Sequence, residues 1–82
     1  MARPKKNKDL TAQVLEMAHG NLSHVIELVA PVTALRIEQA IRRHPDLKDL
    51  LEPVKGEIDE MNHLLSRARV EVKTGISLVW KL

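Results

Sequence analysis

Residues 18–45 read AHGNLSHVIELVAPVTALRIEQAIRRHP, and the reading of this stretch decides the fold. Gly20 tolerates positive φ after a helix and Asn21 is a favourable N-cap for the next one, so the pair reads as punctuation. Leu22, Val25, Ile26 and Val29 then recur at helical spacing until Ala30-Pro31, where the missing proline N–H and the ring oppose continuation. A further helix is expected from Thr33 as N-cap, with Ala34, Ile37 and Ile41 along one face. Arg36, Gln39, Arg42 and Arg43 fall on its other faces. The stretch thus predicts two short amphipathic helices around a tight turn, the second closing in a basic cluster.

Upstream, Asp9 or Thr11 can cap a first helix that runs to about Ala18 or His19, with Leu10, Val14, Met17 and Ala18 facing inward. This completes a three-helix core over residues 9–45. Residues 1–8 hold Arg3, Lys5 and Lys6 beside a proline and no apolar anchor, and read as a disordered basic arm. Such an arm either reaches into a minor groove or merely solubilises the chain.

The run from Gly20-Asn21 to Arg42-Arg43-His44-Pro45 resembles the Fis-type helix-turn-helix of bacterial and phage proteins, among them proteins similar to small terminase subunits. The family pattern runs roughly GN-x-S-x-x-A-x-x-L-G, a turn, then a recognition helix that ends in a basic pair and HP. Here Ile26 stands where that pattern has a small Ala, and Ala30-Pro31 where it has Gly and an apolar residue. Residues 58–65, IDEMNHLL, look like a degraded form of the acidic element that follows HP in that class. The resemblance implies an oligomeric protein that recognises duplex DNA, either a regulator or a packaging-initiation subunit. Arg36, Gln39 and Thr33 would then read base edges while Arg42, Arg43 and the arm neutralise phosphates.

Composition bounds these readings. Hydrophobic residues make up 44% of the 82 positions but aromatic residues only 1%, so any core is built from Leu, Val, Ile, Ala and Met, which favours helix on helix. A chain this short buries little apolar surface alone, and self-association is expected. The net charge of +2 is too small to argue for a nucleic-acid partner, but its distribution is uneven. Residues 1–44 carry seven Lys and Arg against four acids, and residues 45–82 six against seven. The chain has no cysteine, no apolar run of membrane-spanning length and no hydrophobic segment behind its first charges, so a cytoplasmic protein is expected.

Downstream, Leu47, Leu51, Val54, Ile58, Met61, Leu65, Ala68 and Val72 follow at intervals of four and three. Pro53 and Gly56 oppose one straight helix, so a short helix over about 46–52 and a longer one ending near residue 70–73 are expected. The stripe either packs on the first three helices or forms a self-association interface, the latter favoured because so short a chain offers little else to cover it. Residues 70–82, VEVKTGISLVWKL, read as a helix end followed by a segment docked through Trp80, or as a small β-hairpin.

Enzymatic readings are disfavoured. His19, His24, His44 and His63 are scattered, with a glycine turn expected between the first two, so no metal-ligand pair forms. Asp59 and Glu60 are adjacent and diverge on a helix, Ser23 and Ser66 lack a nearby base, and three glycines make no phosphate loop. No catalytic residue, metal, cofactor or small-molecule substrate is expected. The predicted architecture is all-α: a basic arm over 1–8, a helix-turn-helix module over 9–45, and a kinked helical oligomerisation segment with its tail over 46–82. Two functions fit it, an oligomeric DNA-binding protein or a helical adaptor that acts through the 47–72 stripe without DNA.

Overall fold

Four prolines punctuate the chain, and the way each is accommodated sets its path. The computed structural model describes residues 4–82. Helix α1 (Pro4–His24) opens on a proline, whose missing N–H lies among those that no helix satisfies anyway. A π-helical turn (Val25–Val29) and helix α2 (Ala30–Arg43) continue it as one rod. His44 leaves helical geometry at φ −134° and ψ 79°, as the residue before a proline is pushed to do, and Pro45–Leu47 form a single 3-10 turn. Helix α3 (Lys48–Lys81) then runs back along the rod. All described elements are helical, with no strand among them.

Molecular extents are 66 × 15 × 15 Å and the radius of gyration is 18.5 Å. A chain of this length packed into a globule would have about 12 Å. The described residues therefore form two helical layers, with no third element among them to close over either.

The all-α expectation holds, but a two-helix hairpin replaces the three-helix helix-turn-helix core and the kinked segment. Gly20 and Asn21 lie inside α1, and no described glycine has positive φ. The local turn signal there is worth only ~1 kcal/mol against helix. It is outweighed by a continuous seam: Lys8, Ala12, Leu15, His19, Leu22 and Ile26 follow at four and three and are all half-buried or buried, flanked by the half-buried Ala18, Ser23 and Val25. Leu10, Val14 and Met17, expected inside, are more than half exposed.

Pro31 does not end a helix either. Ahead of it the rod widens, and Ala30 N–H donates to Val25 O, five residues back. That leaves Ile26 O facing Pro31, which has no proton to give. The side chain of Asn62 on α3 supplies one: its Nδ2 donates to Ile26 O at 3.4 Å. Thr33, expected as an N-cap, lies in the interior of α2 and donates its hydroxyl to Val29 O at 2.6 Å.

Helix α3 is likewise unbroken through Pro53 and Gly56, both exposed. Pro53 leaves one carbonyl of the first turns for water to satisfy. Residues 70–82 belong to the same helix, so neither a β-hairpin nor a separate docked segment forms, and Trp80 is 53% exposed rather than an anchor. Gly75 lets α1 come close, since a Cβ there would lie 3.7 Å from Leu15 Cδ1. Residues 4–8, expected within the disordered arm, begin α1, while Arg3 lies outside the described residues.

Candidate association face and basic tip

Along α3 the half-buried seam against the rod is Leu51, Lys55, Ile58, Asn62, Leu65, Arg69, Val72, Ile76 and Val79, spaced four and three throughout. It shares Leu51, Ile58, Leu65 and Val72 with the predicted stripe. At every other step it takes the next residue, Lys55 for Val54, Asn62 for Met61 and Arg69 for Ala68. The facing seam of the rod ends in Ala30, Ala34, Ile37 and Ile41. Among the described residues only Ala12 and Ile26 are buried.

That offset divides the hairpin lengthwise into two unlike grooves. One is mainly polar. Arg69 reaches Ser23 Oγ at 3.2 Å and Glu27 at 3.6 Å, Asp59, Asn62, His63 and Ser66 line a hollow of about 160 Å³, and Glu16, His19, Lys73, Ile76 and Ser77 line another of about 260 Å³. Val70 and Trp80 of α3 stand exposed on this side as well. Among the described residues no three His, Asp or Glu side chains are placed to hold a metal ion. The only buried side-chain polar atom without a partner among the described residues is Asn62 Oδ1.

The other groove is apolar. Val25, Val29 and Ala30 of the rod and Ile58, Met61 and Leu65 of α3 line a hollow of about 150 Å³ in its middle. From Met61 the same side of α3 continues in both directions as Leu47, Leu50, Val54, Leu64, Ala68, Gly75 and Leu78, interrupted by Glu57 and Glu71. Leu50 is 69% and Leu64 62% exposed. On the rod, Val14, Ala18, Val25 and Leu28 follow the same side. Of the predicted interface residues, Leu51, Ile58 and Leu65 are therefore turned toward the chain's own first helices, Val54 and Ala68 lie at the groove edge, and Met61 and Leu47 are on its exposed side. Leu50 and Leu64, which lie outside the predicted stripe, are among the most exposed leucines of this face.

At the closed end, Arg36, Gln39, Ala40, Arg43 and His44 line a concavity of about 380 Å³. Positions 36, 39, 40 and 43 share one face of α2, so helical spacing alone brings two guanidiniums and an amide together. Arg42 points elsewhere and pairs with Glu38 at 3.2 Å. His44 was quoted in the sequence only as part of the HP pair; its position at the helix end makes it a lining residue. Lys5 and Lys6 lie in the first turns of α1, at the opposite end of the hairpin, about 60 Å of helix from Arg43. The predicted DNA contacts thus separate: Arg36, Gln39 and Arg43 converge, Thr33 and Arg42 are engaged along their own rod, and Lys5 and Lys6 are remote.

No described helix is long and apolar enough to cross a membrane. Comparison with protein-family models, curated proteins and solved structures finds no match for the chain.

Proposed function

We propose that this protein works by association: its apolar groove is half of a helical core, and the other half comes from helices outside the chain. The observation that carries this reading is the run of exposed Leu, Met and Val along one side of α3, matched by Val14, Val25 and Leu28 on the rod, opposite a side that is mainly polar but for Val70 and Trp80. Water solvates polar side chains at no loss, whereas each large apolar side chain left exposed forgoes about 1.5–3 kcal/mol. An apolar patch of this length on a soluble helix marks an interaction surface. Multi-angle light scattering tests the reading. At tens of micromolar the wild type should run well above its 9.3 kDa chain mass, and Met61→Glu with Leu64→Glu should return it to that mass with helicity intact by circular dichroism. A wild type that is monomeric throughout would overturn the proposal.

A second reading, contact with duplex DNA, is supported by the concavity that gathers Arg36, Gln39, Arg43 and His44. Guanidiniums in this arrangement suit phosphate oxygens, and binding of this kind weakens steeply with salt. Fluorescence anisotropy on a labelled duplex tests it. Arg36→Glu with Arg43→Glu should abolish binding while Arg42→Ala leaves it, and the wild-type affinity should fall at least ~10-fold between 50 and 200 mM salt. Equal affinity of wild type and double variant would end this reading.

A further inference from the structure

We infer that the occupant of the apolar groove is a second copy of this chain, set so that both hairpin tips lie at the same end. The inference rests on the association reading above and names its partner.

Area argues for the partner. Each long side of the hairpin measures 66 × 15 Å, a footprint of about 1,000 Å². A standard stable interface needs about 800 Å² from each side. The groove runs the length of α3, so whatever covers it must itself offer an apolar helical strip of equal length, and the hairpin is such an object. Two hairpins joined in this way make a four-helix bundle, the usual architecture in which helices of this thickness acquire a shared core.

Charge argues for the direction. Two hairpins meeting through the same face are related by a two-fold axis in the interface, which either keeps or reverses their long axes. Reversal about the middle of α3, near Leu64, lays Glu57 of one copy against Glu71 of the other. Like charges then meet twice on an otherwise apolar strip. Keeping the axes parallel instead sets α3 against the partner's first helices at the level they occupy within one hairpin. Thr33 and Ile58 border the same hollow, which fixes that level. Met61 and Leu64 then meet the partner's Val29 and Leu28, and Glu57 comes within a helical turn of the partner's Arg36, its opposite in charge. Parallel pairing also brings two tip concavities side by side.

The chain has no cysteine, so a single spin label can be placed through Asp46→Cys on the exposed tip turn. Double electron–electron resonance should give an inter-label distance below about 35 Å, the width of two packed hairpins with their label arms. A distance near 60 Å in a protein that light scattering shows to be dimeric would overturn the parallel arrangement while leaving association standing. A monomer would overturn both. Charge exchange gives an independent measure. Glu57→Arg should weaken dimerisation about tenfold and adding Arg36→Glu should restore it; no restoration would rule out the Glu57–Arg36 level.

Discussion

The two grooves of this hairpin are built from the same two seams, yet one is finished and the other is not. On the mainly polar side, Arg69 engages Ser23 and Glu27 across the helices, and Asp59, His63 and Lys73 are exposed. On the apolar side, Met61, Leu64 and Leu50 face solvent with nothing opposite them. The difference follows from where the polar residues of α3 fall. Lys55, Asn62 and Arg69 occupy alternate seam positions, so the apolar arc of the helix is centred to one side of its contact with the rod. A helix whose apolar arc is wider than one neighbour can cover has been shaped for two neighbours.

The comparison breaks most directly if charge is tolerated equally on both sides. Met61→Glu with Leu64→Glu should cost several kcal/mol of association, because carboxylates there are driven out of water without partners. Asp59→Lys with Lys73→Glu, on the polar side, should leave the sedimenting mass unchanged. Equal dissociation by both pairs would mean that assembly does not use the apolar side.

A smaller effect separates the hairpin's own core from that surface. Ile26→Ala removes the larger of the two buried side chains among the described residues and should destabilise folding by ~2–4 kcal/mol, seen as a lower urea midpoint with little change in slope. Met17→Ala, at 64% exposure and off the apolar groove, should move the midpoint by under ~0.5 kcal/mol. Comparable losses from the two would place Met17 in a core of its own.

Smaller again is Asn62→Leu, which takes the donor from Ile26 O and also removes the unpartnered Oδ1. These effects oppose each other, and a net loss of ~1 kcal/mol is expected in thermal melts. Smallest is Arg42→Ala, whose pair with Glu38 is 71% and 42% exposed and should contribute under ~0.5 kcal/mol.

Much of the fold class was legible because it depends on composition and period: one aromatic residue and sustained four-three spacing leave little but helices. Half of the α3 seam was legible for the same reason. The other half was not, since an apolar count chooses Val54, Met61 and Ala68, whereas the hairpin turns Lys55, Asn62 and Arg69 inward and lets their polar ends reach out or across. The expected turns at Gly20-Asn21 and Ala30-Pro31 rested on local preferences of about one kilocalorie for the glycine and about three for the proline; the long seam overrides the first, and the π-helical turn with the Asn62 donor accommodates the second. A signal of the π-helical turn was present: Leu22, Ile26, Ala30 and Ala34 are spaced by four three times running, where an even seam alternates four with three. At the tip, Arg36, Gln39 and Arg43 were legible from spacing on one helix. The remoteness of Lys5 and Lys6 was not, because it depends on α1 and α2 being one rod.

The carbonyl that Pro31 leaves bare also decides alignment. A coiled seam of even layers offers nearly degenerate pairings, and the step it accepts most readily is a slide of three or four residues. On α3 that slide carries Asn62 away from Ile26 and sets Ile58 or Leu65, which have nothing to donate, against a desolvated oxygen. The missing proton of one proline thereby acts as a keyway: of the neighbouring alignments this helix pair could adopt, only one brings the matching tooth.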